Sequence, residues 1–248
     1  MIPDSSIPTL PPTRWASRLL TVCAIWAGGF YLLVTVAVLA SHPKPDDRAI
    51  ILMGAGLLLI WVLIGGIVMR RGRDRVVAGM RRIRLDWRVR FVLLCILMAL
   101  IEEAITTTLT NLGPALGAET DAAKITASKN YLEVVLFNSV IIFVPMFVAW
   151  AWLLNRYAFR PAEVMLLWGL TGTLAEMMTF GASPLTTGFW VWVYGLMVYL
   201  PAHSVPPDRA ARRVRPWHYP LALILPVLCA VPIVPLVLLA RQLAGINN

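Results

Sequence analysis

Three carboxylates stand inside long apolar runs that offer them no water. Glu102 and Glu103 lie in the run from Phe91 to about Leu112, and Glu176 lies in the run from Val164 to about Ala182. A charged side chain at the centre of a bilayer costs roughly 2.5–3.5 kcal/mol on insertion scales, so such groups persist where they find partners or a cavity. Glu103 follows Arg90 by 13 residues, and Glu176 follows Glu163 by 13. At about 1.5 Å of rise per residue, both stand ~20 Å beyond those boundary charges. Asn138 enters from the opposite end of the next run, Tyr131–Leu154, and lies ~10 Å deep by the same rise. All three therefore reach a similar depth. Helical spacing puts Thr107, Thr110 and Asn111 on the Glu103 face and turns Glu102 by about 100°. Ser139, Thr171, Thr173 and Thr179 add hydroxyls nearby in sequence.

The chemistry open to such a group is proton exchange or cation binding. A desolvated carboxyl serves as a general acid or base, and carboxyls within membrane spans also serve as titrating groups in transport. Glu103, Glu176 and Glu102 are the expected catalytic residues, with Asn138, Thr107 and Asn111 expected to bind substrate. The alternative is that they pin helices together. Interhelical hydrogen bonds in membranes average only ~0.6 kcal/mol, little return for burying three glutamates. Other reactive side chains stay apart. Cys23, Cys95 and Cys229 fall inside apolar runs without CxxC or Cys/His spacing, as small hydrophobes do. His42, His203 and His218 fall at run boundaries. The pattern assigns no metal and no cofactor.

The elements that must hold these residues follow from composition. Of 248 residues, 59% are hydrophobic and 14% charged, against roughly 45–50% and 25% in soluble domains. The runs are continuous rather than alternating, which selects transmembrane helices over a barrel. Seven spans are expected, at about 17–40, 49–69, 91–112, 131–154, 164–182, 185–202 and 219–240. Each is near the ~20 residues that cross a ~30 Å hydrocarbon core. Together they make residues 14–248 a single all-α polytopic bundle, after a Pro-rich stretch, 1–13, that reads as disordered. The fifth and sixth spans are joined only by Gly181-Ala182-Ser183-Pro184, so a re-entrant pair is the alternative there.

Net charge is +9. Because the basic residues lie between apolar runs, they report orientation rather than nucleic-acid binding. Alternate connections collect 17 Lys and Arg on one side and 5 on the other. The positive-inside rule then places the N-terminus in the cytoplasm of a cell-membrane protein. Nine of the 17 lie between Arg70 and Arg90. Within that segment Val76, Met80, Ile83 and Trp87 form a stripe at helical spacing, which predicts an amphipathic surface helix over 74–87. Anionic lipid headgroups are its expected partners, at ~1 kcal/mol per basic side chain.

Leu100-Ile101-Glu102-Glu103-Ala104 resembles the first motif, EExxxR, of the CAAX-protease-like intramembrane peptidases. Thr107 stands at the Arg position, Ile141 stands where the following FxxxH motif after Phe137 needs a His, and the HxxxN motif is absent. The glutamate pair is also similar to the acidic pair of membrane carotenoid cyclases. The likeness covers only that pentapeptide. Three functions remain open at this level. One is a membrane-embedded enzyme acting on a lipid, isoprenoid or peptide through Glu103. The second is a proton- or cation-coupled transporter, and the third is an assembly subunit whose polar groups face another membrane protein.

Overall fold

The computed structural model describes residues 14–246, apart from the side chains of Thr179 and Phe180. The expectation of disorder over 1–13 lies outside these residues. The described chain is all helical: α1 (Arg14–Ala40), α2 (Pro45–Leu57), α3 (Gly66–Arg82), α4 (Trp87–Asn111), α5 (Tyr131–Phe137), α6 (Val140–Arg156), α7 (Pro161–Phe180), α8 (Thr187–Ser204), α9 (His218–Ala230) and α10 (Ile233–Leu243). Among the described residues the one β-bridge is isolated, between Tyr157 and Arg212.

Local signals set many of the boundaries. Asp86 caps α4 by accepting the Arg88 amide at 2.8 Å, and Asn130 caps α5 by accepting that of Leu132 at 3.0 Å. Helix α7 opens on Pro161, which needs no amide partner there. It closes on Gly181 in the left-handed region, φ 65°, where a side chain would be strained.

Helix α8 is the axis of the bundle, packed against α1, α3, α4 and α7, while α6 lies between α4 and α9. The α7–α8 approach is close because glycines line it. A Cβ on Gly169 would strike the Val191 backbone, and one on Gly195 would strike Met165. Small residues are the usual means of bringing apolar helices together in lipid. Indole N–H groups fasten other pairs: Trp61 donates to the Val193 carbonyl at 2.9 Å, and Trp192 to that of Leu20 at 3.1 Å.

Four helical stretches are long and apolar enough to cross a membrane: Arg14–Ala40, Pro45–Arg82, Pro184–Ser204 and His218–Leu243. A fifth is added if α5 and α6, bent by 44° at Asn138-Ser139, count as one broken span. Their outer faces carry exposed Ile25, Leu32, Val68 and Leu236, as a membrane location requires. Helices α4 and α7, which hold the glutamates, are 25 and 20 residues long but are not among the five.

One expectation is corrected. No separate surface helix forms over 74–87. Helix α3 continues α2 through a π-helical stretch, Leu58–Gly65, into one 38-residue helix, Pro45–Arg82. At 1.5 Å per residue this is about 57 Å long and overshoots a ~30 Å core. The reason lies in the stripe. Val76, Met80 and Trp87 pack against the protein core and Met80 accepts a hydrogen bond from Arg90, leaving Ile83 exposed. The apolar face that looked made for lipid is covered by the bundle.

Candidate functional site

Helix α4 places Glu102 and Glu103 side by side in the interior, 5% and 6% exposed. Glu103 accepts one hydroxyl hydrogen bond and has two further hydroxyls close by. Thr106, one turn along α4, donates to Oε2 at 3.3 Å. Ser139 and Thr126 lie close enough to the Glu103 carboxyl to influence it. The chain is not helical at Ser139. Asn138 departs from helical geometry (φ −136°, ψ −84°), and α6 begins only at Val140. Pro145 inside α6 is a further weak point of the same span.

Glu176, half-buried on α7, accepts a hydrogen bond from the Tyr194 hydroxyl of α8. It lies within electrostatic range of both Glu102 and Glu103. The Tyr194 ring fits because Gly172 faces it, and a Cβ at that position would overlap the ring. Phe143 of α6 and Trp190 flank the same ring, with centroids 6.0 Å away in each case. Trp168 closes the wall against Phe143 and Phe147 at 5.9 and 4.8 Å. The result is a three-carboxyl cluster with hydroxyl donors, walled by aromatic rings.

The connection from α4 to α5 folds over this cluster. Asp46 accepts the amides of Glu119 and Thr120 and the Thr120 hydroxyl, and Lys129 pairs with Asp121 at 2.6 Å. The Ile125 amide donates to the buried Thr110 hydroxyl at 3.3 Å. Thr126, in the same connection, lies close enough to influence the Glu103 carboxyl.

Of the six residues singled out from sequence, Glu102, Glu103 and Glu176 lie within electrostatic range of one another. Thr107 is buried beside them, its hydroxyl without a hydrogen-bond partner among the described residues. Asn138 turns away: its amide nitrogen donates to the Glu133 carbonyl at 3.1 Å and its oxygen accepts from Arg241 at 3.1 Å. Its neighbour Ser139 occupies the place beside Glu103. Asn111 is exposed and donates to the Lys129 carbonyl at 3.0 Å. Tyr194 and Thr126 were not singled out. Tyr194 sits in an aromatic-rich run where one more ring carries no signal, although Gly172, four residues before Glu176, hints at a ring packed there. Thr126 sits in a loop without periodicity.

Chemically the described donors around the carboxyls are all oxygen. Among the described residues no group of three or more His, Cys, Asp or Glu is placed to hold a metal, and the ion pairs present lie elsewhere. A buried carboxyl without a cationic side chain beside it is least costly when protonated or when a cation binds it. No protein-family profile, curated protein or solved structure matches the chain.

Proposed function

We propose that this is a multi-pass membrane protein that moves or exchanges protons through the Glu102–Glu103–Glu176 cluster, as a proton- or cation-coupled transporter. The observation that supports this best is the broken helix at Asn138-Ser139, whose Ser139 lies close to the Glu103 carboxyl. Transporters commonly build substrate and ion sites where a span is interrupted, because the break exposes polar groups inside the bundle. In this reading seven spans cross a cell membrane with the N-terminus in the cytoplasm. The arginine-rich end of α3 faces anionic headgroups on that side.

Reconstitution into liposomes loaded with a pH-sensitive dye tests the proposal. The wild type is expected to move protons under an imposed Na⁺, K⁺ or pH gradient. Glu103→Gln keeps the hydrogen-bonding shape but carries no titratable proton, so it abolishes that movement while insertion and thermal unfolding stay as in the wild type. Transport undiminished in Glu103→Gln reduces the cluster to a structural pin.

A second reading, acid–base catalysis on a lipid, isoprenoid or peptide, is favoured by one feature. Glu176 is only half-buried, and its helix neighbours Leu174 and Met178 are exposed, at 47% and 86%. A substrate in the bilayer would approach from that side, with Glu103 or Glu176 as the proton donor. A wild type that moves no protons but consumes a bilayer-borne substrate decides for this reading.

A further inference from the structure

Helix α6 has a second face that the carboxyl cluster does not use. Opposite Ser139 and Phe143, the side chains of Ile141, Val144, Val148 and Trp152 form one wall of a groove of about 660 Å³. Leu225 and Cys229 of α9 form the other wall. Ile233, at the start of α10, lines the groove as well.

Its two properties select one class of occupant. The first is length. Ile141 to Trp152 is eleven helical steps, or ~16 Å at helical rise, about half of a ~30 Å hydrocarbon core and so the depth of one leaflet. The second is the end group. The Trp152 ring closes the groove and carries the Arg156 guanidinium 4.7 Å above it. Arg156 is exposed and makes no ion pair among the described residues. Arg88, the neighbouring cation, is already engaged by Asn155 at 2.7 Å and Asp86 at 3.5 Å. An apolar slot one leaflet deep, ending at a tryptophan with an unneutralised arginine over it, complements an acyl chain topped by an anionic phosphate.

We infer that the α6–α9 groove binds one acyl chain of an anionic phospholipid, whose phosphate is taken by Arg156. The site rests on the membrane reading above but not on the carboxyl cluster, so each can fail without the other. The test is lipid retention by the purified full-length protein in detergent, read by native mass spectrometry. The probes are phosphatidylglycerol and phosphatidylcholine with identical chains.

The wild type is expected to retain phosphatidylglycerol about fivefold better, the factor that one basic side chain gives an anionic headgroup. Arg156→Gln removes the preference but not the retention, whereas Arg88→Gln leaves the preference intact. Val148→Trp fills the groove from an exposed position and lowers retention of both lipids. Cys229→Trp does the same from the opposite wall, as a second variant should the first unfold. Equal retention of the two lipids by the wild type overturns the inference. So does a preference lost equally in Arg88→Gln and Arg156→Gln, or retention untouched by both tryptophan variants.

Discussion

At the scale of the residue, Gly172 and Tyr194 depend on each other. The glycine leaves the space that the ring fills, and the ring delivers its hydroxyl to Glu176. Gly172→Ala puts a methyl group into the ring, and overpacking of this kind costs about 1–3 kcal/mol. Tyr194→Phe keeps the packing but leaves the half-buried Glu176 carboxyl short of its donor, a loss of about 1–3 kcal/mol. Thermal unfolding in detergent checks both. The double variant separates the two effects: once the hydroxyl is gone, adding Gly172→Ala costs only the packing term, so the two losses sum to more than the double variant shows. Strict additivity would mean that the ring position does not govern the bond to Glu176.

At the scale of the element, the loop between α4 and α5 is a structured cover, tied by Asp46 to Glu119 and Thr120 and by Lys129 to Asp121. The Lys129 hydrogen bond and charge hold the Asp121 carboxyl below the usual carboxylate range. A group whose acidity is strengthened by folding stabilises the fold above its unfolded value near 3.9, and that contribution fades as pH falls through the lowered value. Protection of the amides across 119–126, taken relative to intrinsic exchange at each pH, is therefore expected to hold from neutral pH down to that range and to fall below it. In Thr120→Ala, which removes a bond to Asp46, exchange is expected to be faster at every pH. Exchange as fast in the wild type as in the variant would show that the cover is not held.

The α4 to α5 cover also shows what the sequence could and could not say. Long apolar runs mark the helical stretches, and equal 13-residue offsets predict one level for Glu103 and Glu176 because helical rise converts residue number directly into height. Offsets along a helix carry no information on its azimuth within the bundle. Asn138 hydrogen-bonds Arg241 rather than the carboxyls, while Ser139, its neighbour at the helix break, lies beside Glu103. A break at Asn-Ser carries no glycine or proline signal. The Val76–Trp87 stripe was legible as an amphipathic face, but a face made for lipid and one made for a neighbouring helix have the same composition.

At the scale of the whole molecule, the expected orientation rests on the 17-to-5 asymmetry of basic residues. In a background with Cys23, Cys95 and Cys229 replaced by alanine, Ala122→Cys and Ala210→Cys are both exposed. They are expected to react with an impermeant thiol reagent from opposite faces of sealed vesicles, residue 210 from the cytoplasmic face. Reaction of both from one face would remove the seven-span arrangement.

The central claim is that the buried glutamates exchange protons, and infrared difference spectroscopy of the lipid-reconstituted protein addresses it most directly. Spectra are taken between acidic and neutral buffer, with and without Na⁺ or K⁺. The account predicts carbonyl bands of protonated carboxyls that shift or vanish with pH or cation, one missing in Glu103→Gln and another in Glu176→Gln. Carboxyl bands that ignore both pH and cation, or that persist unchanged in the two variants, would contradict it.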